Sequence, residues 1–141
     1  MEKENFKMRE IFTHQVNPVN DKIKILVMDE PGNGGACHEY RIIVPKTGEA
    51  YQLEELLEKT EWADQLAIPF QNGGITDVGV NGLTQEVLLA IVIDRLKGFD
   101  SGEFRSRENS LALTKCEEAL MWLHKRTLDR MDRGVEGKLE K

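Results

Sequence analysis

Cysteine, long apolar runs and positive charge are all scarce in this chain. Its two cysteines, Cys37 and Cys116, lie far apart, so no disulfide framework is expected. Cys37 and His38 are adjacent but lack a CxxC or HxxxH companion, which leaves no metal-site spacing; neither metal nor cofactor is expected. The longest apolar run, residues 87–93, falls well short of the ~20 residues a membrane span needs. The first ten residues, MEKENFKMRE, are charged throughout and do not read as a secretory signal. A reducing, cytoplasmic setting is therefore expected. With 19 Lys+Arg against 25 Asp+Glu and a formal net charge of −6, the chain is not a general nucleic-acid binder, because such affinity comes mainly from cations neutralising phosphates.

What is present suits a folded, soluble protein. Its 141 residues are 40% hydrophobic and 31% charged. This fits one domain, or one small domain with an appendage, able to bury roughly 68–70% of its unfolded surface. The charge is uneven. Residues 1–103 hold 10 basic and 18 acidic groups (−8), and residues 104–141 hold 9 and 7 (+2). A positive end on an acidic chain suggests a local anion site.

The coarse organisation is a lead-in at 1–21, a β-rich region at 22–80 and a helical hairpin at 81–141. Residues 22–28 and 40–45 alternate as strands. Leu53, Leu56 and Leu57 have helical spacing in the acidic stretch 52–59. Residues 65–70 and 75–80 read as two more strands joined at Gln71-Asn72-Gly73-Gly74. Thr84 begins a helix over 85–97 with Gly98 as its stop, and residues 99–105 form a connector. A long helix follows over about 106–131, with a seam at Leu113, Cys116, Leu120, Leu123 and Thr127 spaced alternately by three and four. The class is α+β: a small antiparallel sheet, then a long helical hairpin.

Little of the usual catalytic vocabulary is found. The glycines at 32, 34 and 35 have no following Gly-Lys-Ser/Thr, so they read as turns and not as a phosphate loop. His14, His38 and His124 sit in separate segments, and serine occurs only at 101, 106 and 110; neither pattern suggests a nucleophile triad. Glu54, Glu55 and Glu58 read as a solvated helix face. The late basic cluster differs. Arg126 and Arg130 are one helical turn apart, and Arg is well suited to forked phosphate contacts. Two readings stand: salt bridging along the helix and between chains, or a pocket for a small phosphorylated ligand, with Phe99 or Phe104 as a stacking platform.

The stretch 118–137, EALMWLHKRTLDRMDRGVEG, resembles the helical-hairpin domain of phage cyclic-nucleotide sponges. The stretch 79–99, GVNGLTQEVLLAIVIDRLKGF, together with 28–35, 38–40 and 70–73, is similar to one branch, the Thoeris anti-defence protein 1 family. The likeness runs from about residue 16 onward. It implies a phage or prophage protein that sequesters, without cleaving, a glycocyclic ADP-ribose made by bacterial TIR-domain defence. The resemblance places Phe99 on adenine, Arg126 and Arg130 on the diphosphate, and Asn109 on ribose or base. It also matches Arg133, Gly134, Val135, Glu136 and Gly137 to a cyclic-trinucleotide corner, with Lys138 where those sponges have a small hydroxyl residue. Asn109 and Arg126 are 17 residues apart on one helix, about 25 Å. One compact ligand touching all four residues therefore needs two chains packed antiparallel, a homodimer with two equivalent pockets. The trinucleotide corner that the resemblance implies, at a three-chain junction, would require a hexamer made of three such dimers. No nucleic-acid polymer or membrane is expected as a partner. An enzyme cleaving the signal, and a structural or host-takeover protein with an Arg-rich oligomerisation hairpin, remain the competing readings.

Overall fold

The structure, a computed structural model, describes residues 8–46, 52–59 and 63–138. It divides into two compact units, Met1–Asn72 and Gly73–Lys141. The architecture is α+β.

The first unit is built on an antiparallel sheet with strand order β1-β2-β3-β4: Arg9–Ile11, Lys24–Val27, Glu39–Pro45 and Ala63–Pro69. Ile25 faces Ile42, and Ile43 faces both Lys24 and Gln65. A short helix, α1 (Pro18–Lys22), precedes β2, and helix α2 (Leu53–Glu58) covers the sheet with Leu56. Leu53 and Leu57 of α2 flank the same cluster. Leu26, Ile43 and Leu56 are fully buried there with Ala63. The helical spacing of the three leucines is thus a packing face. Ile43→Val should destabilise this unit by about 0.5–1.5 kcal/mol, since it removes one methylene from a filled core. Urea unfolding of the variant beside Ile42→Val, the same deletion at a half-buried position of β3, checks this. A shift in Ile42→Val as large as in Ile43→Val would contradict the core placement.

The lead-in is more ordered than its sequence suggests. Residues 9–11 pair with β2, and Asn17 caps α1, accepting from the Asn20 N–H at 2.8 Å. Between β2 and β3 the glycine-rich loop is a turn, as expected. The Asp29 carboxylate accepts the backbone N–H groups of His38 and Glu39 at 2.8 and 3.0 Å. Burial pushes the Asp29 carboxyl up, but these N–H donors outweigh it and hold the carboxyl below its ordinary value.

The second unit begins with a departure from the sequence reading. Residues 75–80 are not a strand. Ile75–Val78 forms a single helical turn, α3. Gly73 (φ 95°) turns the chain after β4, and Gly79 (φ 72°) ends the turn, with its N–H bonded to the Ile75 carbonyl at 2.9 Å. Backbone at positive φ leaves the strand region on both sides, and four residues are too few for alternation to separate a strand from one helical turn.

Helix α4 (Gln85–Asp100) starts at Thr84, whose hydroxyl accepts from the Val87 N–H. Gly98 does not stop it. The helix runs on to Asp100, where the Ser101 hydroxyl caps the Gly98 carbonyl at 2.9 Å and the Ser110 hydroxyl donates to the Asp100 carboxylate. Phe99 therefore stands on the helix and not in the connector. Helix α5 (Arg107–Asp132) starts at Ser106, which accepts from the Asn109 N–H at 3.1 Å. The two helices pack on each other as a hairpin. The expected seam is the shielded face of α5: Leu113 is buried, and Cys116, Leu120, Leu123 and Thr127 are half-buried between exposed neighbours.

Candidate functional site

The hairpin brings together part of the expected site and separates the rest. Phe99 near the end of α4 and Asn109 near the start of α5 line one cavity of about 420 Å3, with Val92, Arg95, Leu96 and Phe104. The volume is of the size small-ligand pockets take. Phe99 and Phe104 both line the cavity and are both exposed. The Asn109 side-chain amide donates weakly to the Phe104 carbonyl at 3.5 Å, tying the connector to α5. Arg95, one turn before Phe99, holds its guanidinium carbon 5.6 Å from the Phe99 ring centroid. Nothing in the spacing of charges singles out Arg95 until α4 is known to continue through Phe99, because only then do the two share a face at i and i+4.

Arg126 and Arg130 lie toward the other end of α5. The helix is continuous from Arg107 to Asp132, so the distance of about 25 Å between Asn109 and Arg126 holds within one chain. The two arginines are also unlike each other. Arg126 is exposed. Arg130 is 8% exposed; its Nε donates to Glu136 at 3.0 Å, and its Nη2 to the Val135 and Lys138 carbonyls at 2.9 and 2.8 Å.

Those bonds build the corner at residues 133–138. Gly134 and Gly137 have φ of 71° and 78°, a region open to glycine at no steric cost. The Val135 N–H bonds the Arg130 carbonyl at 3.0 Å, closing the C-terminus of α5. Thr76 donates to the Gly137 carbonyl from its backbone N–H at 3.1 Å and from its hydroxyl at 3.0 Å. Arg133, Gly134, Val135, Glu136 and Gly137 are thus a formed turn anchored on Arg130 and α3.

A second groove, of about 620 Å3, runs along α5 between Glu117 and Asp129 and includes Ile93 and Lys97 of α4. Its Lys125 is paired with Asp129 at 2.9 Å. Among the described residues, no helix is long and apolar enough to cross a membrane, and no three of His, Cys, Asp and Glu gather as a metal cage.

Residues 63–128 match the Acb2/Tad1 hairpin domain. A protein named Thoeris anti-defense 1, from Bacillus phage SBSphiJ7, is 54% identical over 82 residues. The chain resembles the Thoeris anti-defence protein 1 family. The aligned part is 57% of this chain and 58% of that phage protein, so the chain spans a little over half of the relative it matches. The matched hairpin domain includes Phe99, Asn109 and Arg126, and ends before Arg130 and the corner it anchors.

Proposed function

We propose that this chain is a phage anti-defence protein that binds and sequesters, without cleaving, a glycocyclic ADP-ribose signal of bacterial TIR-domain defence. It would act in the cytoplasm of the infected host. The observation that carries the reading is the shared cavity of Phe99 and Asn109 within a hairpin like that of Thoeris anti-defense 1. An aromatic face beside a side-chain amide suits a nucleobase, the ring by stacking and the amide by pairing with a base edge or ribose hydroxyl. Arg126 and Arg130 of a second chain, packed antiparallel, complete the pocket by holding the diphosphate, so each homodimer carries two pockets. Sequestration asks only for tight ground-state binding and slow release, not for groups that favour a transition state.

A second site takes cyclic trinucleotides at the corner of Arg133, Gly134, Val135, Glu136 and Gly137, where three dimers meet in a hexamer. It is supported by the preformed turn that Arg130 and Thr76 hold in place.

The test mixes purified protein with glycocyclic ADP-ribose, measures binding by calorimetry, then denatures the protein by heat and analyses the released compound. Intact ligand is the expected result. Fragments would identify an enzyme that cleaves the signal. No heat of binding would leave the hairpin with an oligomerisation role alone.

A further inference from the structure

We infer that Arg95 is a further recognition residue of the pocket, contacting the phosphate nearest the nucleobase stacked on Phe99. The inference rests on the proposed nucleotide reading and extends it to a residue outside the four that the family resemblance supplies.

Three observations converge on Arg95. It lines the cavity of about 420 Å3 together with Phe99, Phe104 and Asn109. It also lines a neighbouring cavity of about 270 Å3 with Gly98 and Phe99, so the Arg95–Phe99 pair is the feature the two cavities share. Its guanidinium carbon lies 5.6 Å from the Phe99 ring centroid, and among the described residues no carboxylate pairs with it. Lys125 on α5 is paired with Asp129 one turn away; among the described residues Arg95 has no such counterpart, and it lines the pocket beside Phe99 and Phe104.

A guanidinium over a ring keeps its N–H edges for a forked contact in its own plane. Phe99 binds the base, and Arg95 forks onto the first phosphate beyond the ribose. Because the two residues stand at i and i+4 on one rigid helix, their spacing is set before any ligand arrives.

The test compares adenosine with AMP on the full chain by calorimetry, and adds linear ADP-ribose as a check on the pocket itself. Arg95→Gln should lower the preference for AMP over adenosine on the order of tenfold, the larger loss falling on AMP. Phe99→Ala should weaken both ligands together. Arg95→Lys, which keeps the charge but not the fork, should fall between the wild type and Arg95→Gln. Arg95 is exposed, so these variants should fold, and circular dichroism checks that they do. If Arg95→Gln keeps the wild-type preference, or loses adenosine and AMP equally, the Arg95 assignment is overturned while the pocket stands. If the wild type binds glycocyclic ADP-ribose but none of adenosine, AMP and linear ADP-ribose, the Arg95 inference falls and the nucleotide reading stands; if it binds none of the four, both fall.

Discussion

Arg126→Ala is expected to cut affinity for glycocyclic ADP-ribose roughly a hundredfold or more, the scale of losing a desolvated, hydrogen-bonded charge contact. Folding should be untouched. Arg126 is exposed in the last third of α5, and alanine is the better helix former. Arg126→Lys should recover part of the affinity, since it restores charge without the planar fork. Calorimetry with each variant, beside size-exclusion chromatography, checks both halves of the prediction; full affinity in Arg126→Ala would refute the assignment. The length of α5 adds a sharper test. If Phe99 and Arg126 of one pocket come from different chains, Phe99→Ala and Arg126→Ala variants should each be inactive. Mixed and re-associated in equal amounts as random dimers, they should regain about a quarter of the sites, because each heterodimer holds one intact pocket. No recovery in re-associated heterodimers would place the whole pocket within one chain.

Much of the fold is legible in the sequence because it follows from periodicity. Alternation marks β2 and β3, the turn at residues 71–74 bounds β4, and the three-and-four spacing from Leu113 to Thr127 marks the shielded face of α5. The misses are short or depend on tertiary partners. Three residues of β1 have too little pattern to announce a strand, and they are recognised only by their pairing with β2. Gly98 carries a stop signal, but bonds from Ser101 and Ser110 reward one further turn and set Phe99 on the helix. The site divides along the same line. Phe99 and Asn109 meet because the hairpin folds back, whereas Arg95 gains meaning only from its position over a ring. Arg130 shows the limit most clearly. By residue type it matches Arg126, yet continuing the seam three residues past Thr127 lands on it, and that position turns it inward.

Arg130→Ala should therefore behave differently from Arg126→Ala, losing stability as well as ligand. The guanidinium holds Glu136 and the carbonyls of Val135 and Lys138. Its side chain is 10% exposed, against 39% for that of Glu136. Truncation leaves those acceptors without their donor and opens a void at the end of the seam, a cost of about 2–4 kcal/mol. The damage should be local, because the bonds of this corner reach the last turn of α5 and Thr76 of α3, well away from the middle of α5. Hydrogen exchange should show faster amide exchange at Val135 and Lys138, whose N–H groups bond the Arg130 and Val135 carbonyls, with the middle of α5 little changed. Glu136→Gln separates the contributions. It keeps an acceptor for the Arg130 Nε while removing the charge, so the corner should loosen by less than in Arg130→Ala. If Arg130 also meets the diphosphate, Glu136→Gln should leave that contact in place or strengthen it, because the internal carboxylate no longer competes for the same guanidinium. Normal exchange at the corner in Arg130→Ala would remove its anchoring role. A loss of glycocyclic ADP-ribose affinity in Glu136→Gln equal to that in Arg130→Ala would mean that Arg130 acts on the ligand only through the corner it builds.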